Sequence, residues 1–150
     1  MRLLLDTHAL LWALLEPARL SADASALIRH PANDVLVSAA TAWELATKRR
    51  LGRLPQAGAV VAAYDAHLTR LRADELPVRS QHALLAGRLP VAHRDPFDRM
   101  LAAQAIFEGV VLVTLDPAFG QFADLQTRWQ RGTARYGGAA TSRARHGSVD

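Results

Sequence analysis

The chain contains 150 residues, of which 50% are hydrophobic, and it carries a formal net charge of +4. A chain of this length and apolar content is expected to form one globular domain with a sizeable core, which excludes a largely disordered protein. It has no cysteine, so disulfide bonds, thiolate metal sites and a cysteine nucleophile are excluded as well.

The positive charge is concentrated near the C-terminus. Residues 130–150 hold four Arg and one Asp, so residues 1–129 are almost neutral. The same stretch is rich in Gly, Ala and Arg and lacks apolar periodicity. We therefore predict a folded domain over residues 1–129 and a mostly disordered tail over residues 130–150. Such tails are more often solvated chain ends than ligand sites, so charge alone is a weak indication of a polyanionic partner.

Targeting signals are the next feature to consider. The N-terminus has no signal-peptide pattern, and no apolar run is long enough to span a bilayer. We therefore expect a protein of the reducing cytoplasm that has no association with a membrane.

In chain order, a short apolar run at residues 3–5 predicts a buried parallel strand, and residues 9–15 continue as a helix. Ser21 is a suitable N-cap for a second helix. Residues 35–38 predict a second buried strand. Residues 39–51 predict a helix with a basic C-terminal end, which the helix dipole favours.

The second half of the chain continues the alternation of helices and strands. Helices are predicted at residues 54–71, 81–87 and 99–108, and strands at residues 75–78, 110–115 and 125–129. Ser80 is the expected N-cap of the helix at residues 81–87. This alternation predicts an α/β fold with a central, mostly parallel sheet between helical layers.

Four acids lie close to the ends of predicted strands. Asp6 ends the first strand, Glu44 lies in the helix after the second, Asp98 opens the helix at residues 99–108, and Asp116 ends the strand after it. The C-terminal ends of parallel strands lie at one edge of a sheet, where ligands bind. Asp6 and Asp116 can converge there, and Glu44 and Asp98 can approach from their helices.

Each acid also has a simpler structural explanation. Asp6 and Asp98 could merely cap the helices that follow them, and Asp116 could belong to a turn with the next proline. Asp95 is more easily explained as a turn residue than as a metal ligand. Glu44 is harder to explain in this way, because it stands among apolar neighbours in its helix.

Carboxylates that lie close together without matching cations repel one another, and a bound divalent cation usually offsets this repulsion. A small set of oxygen ligands suits Mg²⁺ or Mn²⁺, which keep bound waters and accept phosphate oxygens from a substrate. Such a site is suited to phosphodiester hydrolysis, because the metal activates a water molecule and stabilises charge on the phosphoryl oxygens. His8 and His93 could add ligands, but a histidine at a helix start or in a loop usually does not.

Four segments of the sequence together carry a resemblance to a known family. They are LLLDTHALLWAL, VSAATAWELATK, DPFDRMLAAQA and LVTLDPAF. In this order and spacing they resemble the PIN-domain ribonucleases, and among them the VapC-type toxins of bacterial type II toxin–antitoxin pairs. The resemblance covers about residues 1–129, and residues 130–150 have no counterpart in it.

The resemblance implies a three-layer α/β/α sandwich and Mg²⁺- or Mn²⁺-dependent endoribonuclease activity on RNA. It also implies a homodimer and inhibition by a cognate antitoxin whose tail enters the acidic site. By motif match, the acids of the family fall on Asp6, Glu44, Asp98 and Asp116, of which the last is the most variable. Thr114 matches a threonine of the family and is expected to hydrogen-bond the acids.

The resulting hypothesis assigns a role to each residue. Asp6 and Asp98 hold the metal directly, and Glu44 and Asp116 complete the site, partly through water. A metal-activated water then attacks the RNA phosphate in line. Arg94 and Arg99 flank the site and could contact phosphates, although either could instead pair with a neighbouring acid.

Three other functions compete with this hypothesis. A phosphoacceptor signalling domain also gathers acids at strand ends, but it uses a lysine nearby, and the only lysine, Lys48, is expected to lie too late in its helix. A catalytically silent interaction module is disfavoured by the intact acids. A DNA-directed nuclease of related fold is disfavoured because no duplex-binding motif is evident.

Overall fold

The computed structural model describes residues 1–129. The predicted tail at residues 130–150 lies outside the described residues, so its disorder stays a prediction. The described strands form one sheet and are β1 (Arg2–Leu5), β2 (Asp34–Ser38), β3 (Ala73–Leu76), β4 (Val111–Val113) and β5 (Thr127–Arg128). All neighbouring strands are parallel, and their order across the sheet is β3-β2-β1-β4-β5.

Helices fill the connections between the strands. They are α1 (Thr7–Leu15), α2 (Ala22–Arg29), α3 (Ala39–Arg50), α4 (Ala57–Ala62), α5 (Tyr64–Leu71), α6 (Ser80–Arg88) and α7 (Pro96–Glu108), with two 3₁₀ helices at Pro17–Arg19 and Pro117–Gln121. Ser21 caps α2 as predicted, since its hydroxyl oxygen accepts the Ala24 N–H at 3.0 Å. Among residues 1–129, no helix is both long enough and apolar enough to cross a bilayer.

Alternating side chains along β1 divide the core into two halves. Leu3 and Leu5 belong to a core cluster with residues of α1, α2, α4 and α5, whereas Leu4 belongs to a second cluster with residues of α7 and the second 3₁₀ helix. All three leucines are fully buried, which requires helices on both faces of the sheet. The predicted three-layer α/β/α sandwich is confirmed.

The strand order creates a crevice at the centre of the sheet. From β1 the chain moves outward to β2 and β3, and then returns to the other side of β1 to form β4 and β5. The order therefore reverses between β1 and β4, and ligands bind outside the C-terminal ends of the strands at such a point. Asp6 and Thr114 directly follow these two strands.

A buried polar contact anchors α7 to the sheet. Gln104 of α7 is fully buried, and its Oε1 accepts the hydroxyl hydrogen of Ser38 at the end of β2. Its Nε2 donates to the Pro77 carbonyl at 3.2 Å. Because burying an amide without partners is costly, these bonds fix the position of α7 and of the acid near its start.

Two sequence predictions in the middle of the chain were wrong. Residues 54–71 are not one helix, because Ala63 has φ −136° and ψ 45°, which lie outside the helical region and separate α4 from α5. The strand predicted at residues 75–78 lies at residues 73–76. It is an edge strand with two exposed acids, so its sequence lacks a clear hydrophobic pattern. The strand ends before Pro77, because proline has no N–H to continue the ladder of hydrogen bonds.

Other element boundaries also differ from the predictions. Ser80 is the first residue of α6, and Arg79 is its N-cap, with the Arg79 N–H donating to His82 Nδ1 at 3.0 Å. The strand predicted at residues 110–115 covers residues 111–113, and the edge strand predicted at 125–129 covers residues 127–128. Asp116 therefore lies three residues beyond β4 and does not end it.

Candidate active site

Asp6 lies at the junction of β1 and α1, where it both caps the helix and enters the site. Its side chain is only 6% exposed. Oδ1 accepts the Ala9 N–H at 2.7 Å, which is the N-cap bond of α1, and Oδ2 accepts the hydroxyl hydrogen of Thr114. The capping and site interpretations of Asp6 are therefore compatible, because each uses a different oxygen.

Thr114 connects Asp6 to the loop that carries Asp116. Its hydroxyl donates to Asp6, and the same oxygen accepts the Asp116 N–H at 3.0 Å. Asp116 Oδ1 in turn accepts the Ala118 N–H at 2.8 Å and caps the second 3₁₀ helix. Asp116 is exposed, unlike Asp6.

Glu44 is buried and held by two donors. It is 4% exposed on α3, its Oε1 accepts the Thr7 hydroxyl hydrogen, and its Oε2 accepts a hydrogen bond from Lys48 Nζ. Lys48 lies one helical turn after Glu44, so the two side chains share one face of α3. The expectation that Lys48 lies too far along its helix to reach the acids was wrong.

Asp98 does not cap α7, although the sequence allowed that role. Asp95 is the N-cap of α7, since its Oδ1 accepts the N–H groups of Phe97 and Asp98 at 2.9 and 3.0 Å. The helix begins at Pro96, so Asp98 lies in its first turn and does not open it. The Asp98 carboxylate instead pairs with His93, whose Nε2 lies 2.7 Å from Oδ2.

The four predicted acids line a single cavity of about 200 Å³ at the C-terminal edge of the sheet. Its lining includes Asp6, Glu44, Asp98 and Asp116, together with Thr7, His8, Lys48, Asp95 and Phe119. The convergence expected from the strand order is therefore present in the structure. Lys48 is the only cation among these lining residues, and it is already paired with Glu44.

Burial disfavours the ionised form of two of the acids. Desolvation raises the pKa of Asp6 from 3.8 to about 6, although the hydrogen bonds from Thr114 and Ala9 oppose the shift. Desolvation also raises the pKa of Asp98, against the hydrogen bond from His93, and the charges of Asp95 and Glu44 raise it further. A cation bound between the acids would reverse both effects, because it favours the charged carboxylates.

The donor set of the cavity fits a hard divalent cation such as Mg²⁺ or Mn²⁺. All four acids offer oxygen, and two of them are destabilised as free anions. Within residues 1–129, no three acidic or histidine side chains already form a set of cation ligands. One reason is that Lys48 and Thr7 occupy both oxygens of Glu44, and His93 occupies one oxygen of Asp98.

The two arginines predicted to contact phosphates differ sharply in their surroundings. Arg94 is exposed and is not among the described lining residues of the cavity. Arg99 donates four hydrogen bonds to backbone carbonyls, namely those of Ala86, Leu89, Val91 and His93, at 2.7 to 3.1 Å. Four of its five N–H groups are thus used within the protein, which gives Arg99 a structural role in the loop before α7.

Sequence reasoning missed three residues that hold the acids in place through hydrogen bonds. Lys48 was dismissed, Thr7 was not considered, and His93 was set aside as a loop histidine. The spacing of four residues between Glu44 and Lys48 was a usable signal, because such pairs meet on a helix. No signal in the sequence links Thr7 to Glu44, because that contact depends on how α1 and α3 pack together.

The comparisons with known proteins agree with this architecture. The PIN domain family model matches residues 3–125. Ribonuclease VapC22 of Mycobacterium tuberculosis is 35% identical over 114 residues, which cover 75% of this chain and 85% of the relative.

Three solved structures share the fold, each with less than 25% sequence identity. VapBC from Salmonella typhimurium, solved with bound DNA, has a TM-score of 0.62 at 17% identity and covers 85% of this chain and 97% of its own. VapBC2 from Rickettsia felis, bound to a DNA fragment from the promoter, has a TM-score of 0.58 at 17% identity and covers 87% of this chain and 100% of its own. VapBC-1 from nontypeable Haemophilus influenzae has a TM-score of 0.57 at 23% identity and covers 85% of this chain and 97% of its own. From the family match over residues 3–125 and the 35% identical relative, we conclude that the chain belongs to the PIN-domain family.

Proposed function

We propose that this protein is a metal-dependent endoribonuclease that acts as the toxin of a toxin–antitoxin pair. The observation that carries the proposal is that one cavity brings together the buried Asp6 and Glu44, the partly buried Asp98 and the exposed Asp116. Burial raises the pKa of both Asp6 and Asp98, so the protein keeps an arrangement that is unfavourable without a cation. A selected function explains why such a cluster persists.

Asp6 and Asp98 are the residues that would hold Mg²⁺ or Mn²⁺ directly. Glu44 and Asp116 would complete the site, in part through water. When bound, the ion supplies an activated water and stabilises charge on the phosphoryl oxygens. Thr114 orients the Asp6 carboxylate through its hydroxyl, and His93 orients that of Asp98.

Lys48 is assigned the role of a balancing charge. Its ammonium neutralises Glu44, so the cavity carries one unit of negative charge less than its acids alone would give. A ligand that brings positive charge competes with Lys48 for Glu44. Lys48 is then free to approach a phosphate oxygen, for which an ammonium is a suitable point charge.

RNA is the proposed substrate because the relative that is 35% identical is named a ribonuclease. The likeness in fold to structures named VapBC, with the VapC-like motifs, supports a cognate antitoxin as protein partner. The same resemblance supports a homodimer. We place its action in the cytoplasm, in line with the resemblance to VapC-type toxins.

The first test is cleavage of total cellular RNA by the purified full chain, with Mg²⁺, with Mn²⁺ and with EDTA. The Asp6→Asn and Asp98→Asn variants are compared with Asp124→Asn, which changes an exposed acid outside the cavity. We expect discrete fragments that disappear with EDTA and in both cavity variants, and that persist in the control. Full metal-dependent cleavage by Asp6→Asn would overturn the assignment.

The same assay separates the competing functions. Single-stranded and duplex DNA serve as parallel substrates, and preferential cleavage of either would favour a DNA-directed nuclease. No cleavage of any nucleic acid by folded protein that binds Mn²⁺ would favour a silent interaction module. The phosphoacceptor alternative loses its main objection, since Lys48 does reach the acids, but membership of the PIN-domain family argues against it.

A further inference from the structure

A second cleft adjoins the acidic cavity and shares part of its wall. The cleft has a volume of about 500 Å³, and it shares Asp6, His8 and Asp116 with the cavity. Its remaining lining includes Trp12 and Arg19. A molecule with one group in the acidic cavity can therefore extend directly into a region of aromatic and cationic character.

Three side chains of the cleft lie in a row that leads away from the acids, with the His8 and Trp12 rings tilted by 50° to each other. His8 and Trp12 lie one turn apart on α1, with ring centroids 5.7 Å apart. The Arg19 guanidinium carbon lies 4.7 Å from the centroid of the Trp12 ring. Cationic and aromatic planes in this arrangement form the kind of platform on which nucleobases stack.

Trp12 also takes part in packing. Its ring also meets Trp129 at 5.6 Å, and a tryptophan on an amphipathic helix is often part of the core. However, Trp12 is only partly buried and lines an open cleft, and both His8 and Arg19 are exposed. Trp129 meets the Trp12 ring at an interplanar angle of 58°, and the exposed Arg19 lies over that ring.

The charge distribution favours a base over a phosphate deep in this region. The acids that the cleft shares with the cavity repel phosphate unless a cation is bound, whereas a neutral nucleobase meets no such penalty. Arg19 lies on the Trp12 side of the cleft, and its ion pair with Glu16 is weak, because the two groups are 3.6 Å apart and both more than half exposed. It is therefore available to a nucleotide.

We propose that the cleft lined by His8, Trp12 and Arg19 is a nucleotide subsite for single-stranded RNA, next to the phosphate that is cleaved. The inference rests on the proposed ribonuclease function and adds to it the residues that bind a base beside the cleaved phosphate. The base stacks on the Trp12–Arg19 platform, and the exposed amide of Gln56, which lines the same cleft, offers a donor and an acceptor to the base edge. Duplex RNA keeps its bases stacked inside the helix and cannot supply one.

The test measures binding of a fluorescein-labelled ten-nucleotide single-stranded RNA of randomised sequence by anisotropy, in the presence of Mg²⁺. The background variant is Asp98→Asn, which prevents cleavage during the measurement. Trp12→Ala is expected to weaken binding on the order of ten- to a hundredfold, as stacking of one base typically contributes. Trp12→Phe keeps an aromatic face and should retain most of the affinity.

Arg19→Gln provides a second variant that does not threaten folding, because Arg19 is exposed on the surface. It should weaken binding several-fold and reduce the dependence of affinity on salt. The matched controls are Trp43→Ala and Arg50→Gln, which change an exposed tryptophan and an exposed arginine outside the cleft. Both controls should bind RNA like the background variant.

The outcomes separate this inference from the proposed function. In the cleaving wild-type background, Trp12→Ala and Arg19→Gln should raise KM for short single-stranded RNA more than they lower kcat. Cleavage with unchanged KM and Kd in both variants would overturn the subsite and leave the ribonuclease intact. Absence of RNA binding in the background variant and in the wild type would also overturn the subsite. Trp12-dependent binding without any cleavage would support the subsite and contradict the proposed function.

Discussion

Thr114 donates its hydroxyl hydrogen to Asp6, and the two residues are 108 positions apart in the sequence. Each directly follows one of the two central strands between which the strand order reverses. The contact therefore joins the two sides of the crevice between β1 and β4. Several consequences of this contact and of its neighbours can be tested.

Replacing Thr114 by Val should impair the site while keeping the shape of the side chain. The variant removes a hydrogen bond to the charged form of Asp6, and such bonds contribute about 1.5 to 3 kcal/mol. The pKa of Asp6 should therefore rise further, and RNA cleavage near neutral pH should fall about tenfold or more, with the rising limb of the pH–rate profile moved to higher pH. Thr114→Ser, which keeps the hydroxyl, is the control, and a Val profile equal to that of wild type would contradict the assignment.

The buried Asp6 should make the metal-free protein less stable as the pH rises. Its pKa is 3.8 when exposed and about 6 in the folded chain, so between these values the folded state holds a proton that the unfolded state has released. The free energy of unfolding should therefore fall between about pH 4 and pH 6, by roughly 3 kcal/mol for a shift of this size. Other groups titrate in this range, so the informative quantity is the difference between wild type and Asp6→Asn.

Urea unfolding in EDTA at several pH values measures this difference. Asp6→Asn should show a flatter dependence and should exceed wild type in stability above pH 6. Adding Mg²⁺ should stabilise wild type more at pH 7.5 than at pH 5, because protons compete with the cation for the carboxylates. A parallel dependence of wild type and variant on pH would show that burial of Asp6 has no energetic consequence.

Removing the positive charge of Lys48 should increase the stabilisation that a bound cation gives to the protein. In Lys48→Met, Glu44 keeps its burial but loses its ion pair. The metal-free variant should lose about 1 to 3 kcal/mol of stability, less than a fully buried pair would cost because Lys48 is partly exposed. Its melting temperature should then rise more steeply with Mg²⁺ or Mn²⁺ than that of wild type.

Arg50→Gln is the matched control for Lys48→Met, because it removes an exposed positive charge from the end of the same helix. It should leave both the stability and the response to metal nearly unchanged. Equal responses of the two variants would mean that Lys48 does not regulate the charge of the cavity.

Arg94 and Arg99 should separate into one functional and one structural residue. Arg99→Lys cannot reproduce the planar fork that contacts four carbonyls. It should destabilise the fold by about 2 to 4 kcal/mol and misplace the loop that carries His93. Arg94→Gln changes an exposed side chain and should leave the melting temperature within a degree or two, while reducing RNA affinity if Arg94 contacts phosphates. Thermal melts and RNA anisotropy on both variants decide the assignment, and a stable Arg99→Lys protein with weakened RNA binding would reverse it.

The architecture was largely predictable because its strongest signals are local. The apolar runs around Leu4, Leu36 and Leu112 identified the three central strands, and the helices between them implied parallel pairing. Predictions were weakest where a signal depended on position in the sheet. The edge strand β3 carries exposed acids at Asp74 and Glu75, so its sequence lacks the hydrophobic pattern of the strands at the centre.

The acids were predictable as a set because strand ends in a parallel sheet share one edge. Their individual surroundings were not. Asp95 and Asp98 are three residues apart in one motif and both line the cavity, yet Asp95 caps α7 and Asp98 pairs with His93. Sequence spacing allows either acid to be the cap, and the choice depends on where the helix begins against the sheet.

The sequence by itself therefore determined the fold class, the family resemblance and the identity of the four acids, since these depend on periodicity and order along the chain. Only the tertiary structure decided that Thr7 holds Glu44, that Arg99 serves the loop instead of a phosphate, and that Trp12 and Arg19 line a cleft beside the acids. Some of these contacts join elements that are distant in sequence. Others hold a flexible side chain in one of its several possible rotamers. Packing of the helices on the sheet selects them, and no local pattern encodes that selection.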